Sequence, residues 1–180
     1  YPSVYGVDIK ISNKKNNEID NLVKWMYKIC GKYIYAEEED NMEKIIIKNC
    51  IKHNQTLAVA ESCTGGLIGD RLTNVSGSSD SFKGGVVAYS NESKVKILGV
   101  SKNILDQYGS VSKETALSMS ENVRYLFNSS IGLSVTGIAG PGGATEEKPV
   151  GLVYIGLATD SKTVVKKYNF SKDRKRNKIK

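Results

Sequence analysis

Along the chain, short apolar runs alternate with amphipathic stretches, and the period of the pattern changes from segment to segment. In residues 6–12, GVDIKIS, apolar Val7, Ile9 and Ile11 alternate with polar Asp8 and Lys10, the two-residue period of a half-buried strand. The polar cluster Asn13 to Asn17 reads as a turn. Residues 18–30 place Ile19, Leu22, Val23, Met26 and Ile29 on one helical face, and Gly31 is suited to stop that helix. KYIYA then predicts a short strand before the acidic EEEDN. One strand, one helix and one strand in about 35 residues cannot bury a sufficient core, so this piece reads as the remnant of a preceding domain.

The main domain starts near Asn41. MEKIIIKNCIKHN is helical in pattern, with Met42, Ile45, Ile46, Asn49 and Cys50 spaced for one face. TLAVAES is a short buried strand that turns at Glu61-Ser62 into a helix over roughly Thr64 to Leu72. SGSSDS is a loop, GGVVAYS a second strand, and a brief helix over roughly Asn91 to Leu98 stops at Gly99. Ser112 caps a long amphipathic helix carrying Ala116, Met119, Val123 and Leu126 at helical spacing. IGLSVTGIAG is a core strand that ends in the loop GPGGATEEKP. GLVYIGLAT and TVVKKYNF flank a tight turn at Asp160-Ser161-Lys162 and predict an antiparallel hairpin. Helices alternating with strands, closed by a hairpin, predict an α/β fold in three layers, α/β/α, around a mixed sheet. The sequence holds no internal repeat.

Composition narrows the class. In 180 residues, hydrophobic content of 39% and charged content of 25% are ordinary for a globular chain with one full domain and an appendage. No stretch approaches the roughly 18 apolar residues of a membrane span, and no signal peptide is recognisable, so the expectation is a cytoplasmic protein with no membrane partner. Cys30, Cys50 and Cys63 lack CxxC spacing, which argues against a disulfide framework and a structural zinc site. The net charge of +7 sits in the last twenty residues, which hold nine basic side chains and one acid, Asp173. A nucleic-acid interface would have to rest on that tail, and no aromatic stacking platform accompanies it; nucleic acid is not an expected partner. The chain starts at Tyr1 and ends in KDRKRNKIK, so both ends read as cut.

Candidate chemistry gathers at AESCTGG. Ser62 lies between a buried strand and the first turn of a helix, at the carboxyl edge of the sheet where open α/β folds bind ligands. A helix N-terminus offers free N–H groups and a positive partial charge, and Gly65 and Gly66 let a ligand approach the backbone. The plain alternative is that Ser62 or Thr64 is an N-cap, the commonest fate of such residues. Cys63 is a rival nucleophile, since a helix N-terminus lowers a thiol pKa, but it has no evident histidine partner. The one histidine, His53, stands at a helix end with nothing to place it beside Ser62. The remaining base of suitable type is a neutral lysine, and Lys94, on the short helix after GGVVAYS, is the best placed. Tyr89 at that strand's end is within the same neighbourhood. The loop TGIAGPGG, residues 136–143, offers exposed N–H groups suited to anions but matches neither the Walker pattern nor GxGxxG. Glu146 and Glu147 read as solvated.

AESCTGG, FKGGVVAYSNESK, YGSVS, SVTGIAGPGG, EEKPVGLVYIGLAT and the closing FSKDR, in this order, resemble the C-terminal domain of the CinA (competence/damage-inducible) family from about Met42 to Arg174. Stand-alone members of that family are nicotinamide-nucleotide amidases. The N-terminal piece, YPSV through GKYIYAEEED, resembles the tail of the KH-like region of full-length CinA proteins. The resemblance therefore implies a KH-like α+β remnant over residues 1–38 and a CinA C-terminal-type amidohydrolase domain over 41–180. It also implies hydrolysis of nicotinamide mononucleotide to nicotinate mononucleotide and ammonia, with no cofactor and no metal. Carried over, the family's serine falls on Ser62, its lysine on Lys94 and its tyrosine on Tyr89. Substrate contacts are expected from Cys63, Thr64, Gly65, Gly66, Asn91, Thr136 and Gly137, with Arg174 on the substrate phosphate and N–H groups around Cys63 to Gly66 or Gly137 on the oxyanion. A homo-oligomer is implied as well. Family domains continue beyond this arginine with a substantial helix, so the final helix is expected to be missing and Arg174 to be loosely held. The alternative reading is a catalytically silent nucleotide-binding regulatory domain.

Overall fold

The structure is a computed structural model that describes residues 6–12, 19–37 and 40–179. LAVAE, Leu57–Glu61, forms strand β1 and is buried at every position. It pairs in parallel with β2 (Phe82–Val87) on one side and β3 (Ile131–Gly137) on the other. Antiparallel β4 (Leu152–Ala158) and β5 (Thr163–Asn169) complete a mixed sheet in the order β2-β1-β3-β4-β5. The two-residue period of β1 divides its side chains between two faces. Leu57 and Val59 meet Ile47, Leu72 and the partly buried Ile131 and Leu133, beneath helices α2 (Met42–Lys52) and α3 (Leu67–Thr73). Ala58 and Ala60 meet Leu98, Val100, Leu105, Met119 and Val123, beneath α4 (Asn91–Lys96), α5 (Lys102–Tyr108) and α6 (Lys113–Leu126). The three-layer α/β/α arrangement expected from the pattern is present.

Small residues face α6 because that helix lies close to the sheet. A Cβ on Gly156 would stand 2.6 Å from the Ala116 carbonyl oxygen, and one on Gly132 would collide with the carbonyl of Ser120. Ser134 uses the same closeness to donate to the Ala116 carbonyl at 2.5 Å. Ser112 caps α6 by accepting from the Thr115 N–H, as its sequence position predicts, and Ala116, Met119 and Val123 are fully buried. Each large side chain among these contributes about 1.5–3 kcal/mol by leaving water. Leu126, at the last residue of the helix, is instead exposed. The hairpin closes as expected, with Ala158 opposite Thr163 and Thr159 N–H donating to the Lys162 carbonyl.

Several expectations are corrected. Residues 6–12 form no strand beyond an isolated bridge at exposed Val7, and KYIYA gives a 3-10 turn, Gly31–Tyr33, followed by irregular chain. A strand needs a partner sheet, and the described N-terminal residues offer none. Helix α1 (Ile19–Cys30) matches the pattern but buries none of its residues, and Trp25 is 57% exposed. The KH-like character of this segment is thus not shown. YPSV, Asn13 to Asn17, Glu38 and Glu39 lie outside the described residues. On α2 the inward residues are Ile47 and Cys50, while Asn49 is exposed; the buried stripe is turned from the expected one toward Ile47. Helix α5 was not anticipated and contributes Leu105 to the core. No helix among the described residues is long and apolar enough to cross a membrane.

Candidate active site

Ser62 is the first residue past β1. Its N–H donates to the Val135 carbonyl at 2.9 Å, extending the β1–β3 pairing by one step. Its carbonyl accepts from the Gly65 N–H at 3.1 Å, which bends the chain away from the sheet. Gly65 and Gly66 follow with φ of 65° and 97°, left-handed values that glycine adopts without steric cost. Helix α3 therefore begins at Leu67, three residues later than expected, and Ser62 is not its N-cap. Ser62, Cys63 and Thr64 are all buried.

The capping group is Glu61, which sequence reasoning missed. Its carboxylate is 1% exposed and accepts from the N–H groups of Gly66 at 3.0 Å, Ile68 at 3.1 Å and Gly69 at 2.8 Å. These are the donors that a helix start leaves unpaired, and the negative charge meets the positive end of the helix dipole. The free N–H groups expected over Gly65 and Gly66 are therefore already engaged. Those of Cys63 and Thr64 lie beside the Cys63 sulfur and donate to no backbone carbonyl among the described residues. A lone carboxylate ending an otherwise apolar buried strand just before a helix was the available signal.

Lys94 approaches from the opposite face. Ser90 starts α4 with a capping box, its Oγ accepting from the Ser93 N–H at 3.0 Å while Ser93 Oγ accepts from the Ser90 N–H at 3.1 Å. This fixes the first turn of α4 so that Lys94 points inward, where it is 1% exposed. Its Nζ donates to the Ala88 carbonyl at 2.8 Å and stands 3.0 Å from Ser62 Oγ. Burial holds the amine below its usual pKa, against a weaker opposing pull from Cys63. No acidic side chain pairs with it among the described residues. A lysine that is buried without a counter-ion favours its neutral form, the form able to take a proton from a hydroxyl.

The other candidate residues have different surroundings. Burial pushes the Cys63 thiol up to about 11, so it is not a ready thiolate. His53 caps the end of α2, exposed, with its Nδ1 2.9 Å from the Asn49 carbonyl oxygen. Thr136 is fully buried and donates to the Ser110 carbonyl at 2.7 Å. Gly137 ends β3, where a Cβ would stand 2.7 Å from the Leu152 carbonyl oxygen, so packing against β4 accounts for the glycine. Asn91 opens α4 on the exposed side. Thr64 keeps a buried hydroxyl with no partner among the described residues. Glu146 and Glu147 are exposed, as expected.

Arg174 is held rather than loose. Helix α7 (Arg174–Ile179) follows β5, and Arg174 donates through Nη1 to the Gly140 carbonyl at 2.6 Å and through Nη2 to the Tyr89 hydroxyl at 3.0 Å. Tyr89 is exposed and makes its hydrogen bond to Arg174, not to Ser62 or Lys94. Asn177, which had no sequence signal, is 3% exposed and donates to the carbonyls of Ala139 at 3.0 Å and Ser171 at 2.8 Å.

The mixed α/β domain thus brings a buried serine and a buried lysine with no acidic partner among the described residues into contact at the carboxyl edge of its parallel strands. The sequence profile described as the CinA C-terminal domain matches residues 39–180, and the chain belongs to that family. A putative competence-damage inducible protein of Thermoanaerobacter pseudethanolicus is 58% identical over 146 residues, covering 81% of this chain and 35% of its own length. The protein of the same description from Caldanaerobacter subterraneus is 52% identical over 175 residues, covering 94% and 42%. This chain thus spans less than half the length of these relatives. Among solved structures, the competence/damage inducible protein CihA from Agrobacterium tumefaciens superposes with a TM-score of 0.74 at 36% identity, over 76% of this chain and 84% of that one.

Proposed function

We propose that this domain is an amidohydrolase that cleaves the carboxamide of nicotinamide mononucleotide, releasing nicotinate mononucleotide and ammonia. The reading rests above all on the 3.0 Å separation of Lys94 Nζ and Ser62 Oγ in buried surroundings. Family membership supports the substrate class. Neutral Lys94 accepts the Ser62 hydroxyl proton as Oγ bonds to the carboxamide carbon. The resulting oxyanion is received by the N–H groups of Cys63 and Thr64, the donors of the turn that Glu61 leaves open. Collapse breaks the C–N bond, and the Lys94 ammonium returns its proton to the departing nitrogen as ammonia leaves. Water, deprotonated by Lys94, then attacks the serine ester; the acyl C–Oγ bond breaks, the Lys94 ammonium returns its proton to Ser62 Oγ, and the released acid ionises to solvent as the carboxylate. The protons exchanged among Ser62, the leaving nitrogen and the attacking water pass through Lys94, and no metal enters the cycle.

The test is ammonia release from nicotinamide mononucleotide, followed by a coupled assay. Release by the folded chain and its loss in Ser62→Ala support the reading. Full activity in Ser62→Ala, or nucleotide binding by calorimetry with no ammonia formed, would replace it with the silent regulatory domain.

A further inference from the structure

We infer that Glu61 is the positioning residue of the oxyanion site, an inference that rests on Ser62 being the nucleophile of the reading above. Its buried carboxylate holds the turn over residues 63–66 in the shape that offers the Cys63 and Thr64 N–H groups to a developing oxyanion. The turn has little else to hold it. Among the described residues its backbone bonds are Gly65 N–H to the Ser62 carbonyl at 3.1 Å and Asp70 N–H to the Gly66 carbonyl at 2.9 Å. Beyond its chain neighbours, a Cβ at Gly65 would meet only the Lys178 ammonium, at 3.7 Å, among the described residues. One at Gly66 would likewise meet only a Val87 methyl, at 3.5 Å. Two glycines in succession have the widest torsional freedom of any residues, and packing on this side does not restrict them.

Glu61 supplies the restraint. Its Oε2 accepts from Gly66 and Ile68 and its Oε1 from Gly69, so one residue of a buried strand is tied across the turn to the start of α3. The same residue reaches the other half of the site through its backbone. Its carbonyl accepts from the Ala88 N–H at 2.8 Å, and the Ala88 carbonyl in turn accepts from Lys94 Nζ at 2.8 Å. The lysine is thus linked to residue 61 by main chain alone. A change of the Glu61 side chain disturbs the turn and spares the hold on Lys94. The Cys63 and Thr64 N–H groups lie beside the Cys63 sulfur, a weak acceptor that yields to an oxyanion. Donors of this kind lower a barrier only when they are aimed before the charge develops, and the torsions of this turn set their aim.

Labelling of Ser62 by a fluorophosphonate tests this without an amide substrate. Ser62 Oγ bonds to phosphorus as fluoride leaves, the hydroxyl proton goes to Lys94, and the charge that builds on the phosphoryl oxygen calls on the same donors. Mass spectrometry of the full chain reads the rate. Glu61→Gln keeps the shape but sets an amide NH2 against backbone N–H groups, and should slow labelling roughly a hundredfold, the scale of one lost oxyanion donor. Glu61→Asp is a methylene too short to reach all three donors and should stay at least about tenfold slow. Ile47→Ala loosens the packing of α2 on the sheet away from the turn, and should label within about twofold of the unaltered chain. Urea unfolding checks that each variant is folded under assay conditions. With nicotinamide mononucleotide, both Glu61 variants should lose kcat at unchanged KM. Full labelling rate in either Glu61 variant, an equal loss in Ile47→Ala, or a change in KM alone overturns the inference, as does a folded unaltered chain whose Ser62 takes no label. The amidase reading fails separately, by absent ammonia release from a chain whose Ser62 labelling still depends on Glu61.

Discussion

At Ser62 the two faces of the sheet each bury one ionisable side chain, Glu61 on the α3 side and Lys94 on the α4 side, and both are 1% exposed. Their surroundings differ. Glu61 meets three backbone N–H groups and a helix start, so its charge is matched and its burial stabilises the turn. Lys94 meets one carbonyl and one hydroxyl, with no counter-ion, so its burial works against the charged form. A satisfied charge fixes geometry, and an unsatisfied one is available for proton transfer. The same strand end thus carries a backbone-matched carboxylate and an unmatched amine on opposite sides of Ser62.

The comparison breaks most sharply in activity. Ser62→Ala and Lys94→Met should each cut ammonia release roughly a thousandfold or more, on the scale of removing a nucleophile or its base. Thermal melts would confirm that both variants remain folded. Stability should then separate the two charges by sign. Glu61→Ala leaves three N–H groups unpaired and should lose about 3 kcal/mol or more in urea unfolding. Lys94→Met, replacing an unmatched buried amine with an apolar chain of similar length, should gain roughly 1 kcal/mol near neutral pH.

A smaller effect sharpens the sign. Burial lowers the folded pKa of Lys94 below its usual 10.5, so between the two values the unfolded chain holds a proton that the folded chain lacks. Stability therefore rises with pH across that window, by at most about 1.4 kcal/mol per pH unit, and its unfavourable contribution is complete below it. Lys94→Met should remove this slope in urea titrations repeated over pH, and the rate of the unaltered chain should rise with pH through the lowered value. Cys63 acts in reverse: its thiol, raised from 9.0 to about 11, keeps a proton that the unfolded chain has lost, so its contribution is present below 9 and fades toward 11. The smallest change is expected from Cys63→Ala, with activity within a few-fold and only this alkaline slope lost. Iodoacetamide should label native Cys63 slowly near neutral pH, as mass spectrometry would read.

A second contrast lies between α6 and α1. Both are amphipathic, yet α6 buries Ala116, Met119 and Val123 against the sheet while α1 buries nothing. Helical period alone predicted both equally well. What the period cannot carry is whether a partner surface exists, and for α1 the described residues provide none.

Local chemistry within the sequence determined the elements that close on themselves. Ser112 caps α6 through a bond three residues away, the Asp160–Lys162 turn joins adjacent strands, and the apolar run before Ser62 must be a covered strand. Ser62 was visible as a candidate for the same reason, since a strand followed by CTGG turns wherever it is placed. The sequence proposed Lys94 as its partner, but contact between residues 32 positions apart depends on the parallel pairing of β1 with β2 and on the Ser90 cap that aims α4 inward. Tertiary structure alone decided that Glu61 would take the first donors of α3, that Asn177 would anchor α7, and that Lys178 would stand over Gly65. Residue spacing encodes torsions and faces, whereas the matching of a buried charge is set by groups that only the folded chain brings together.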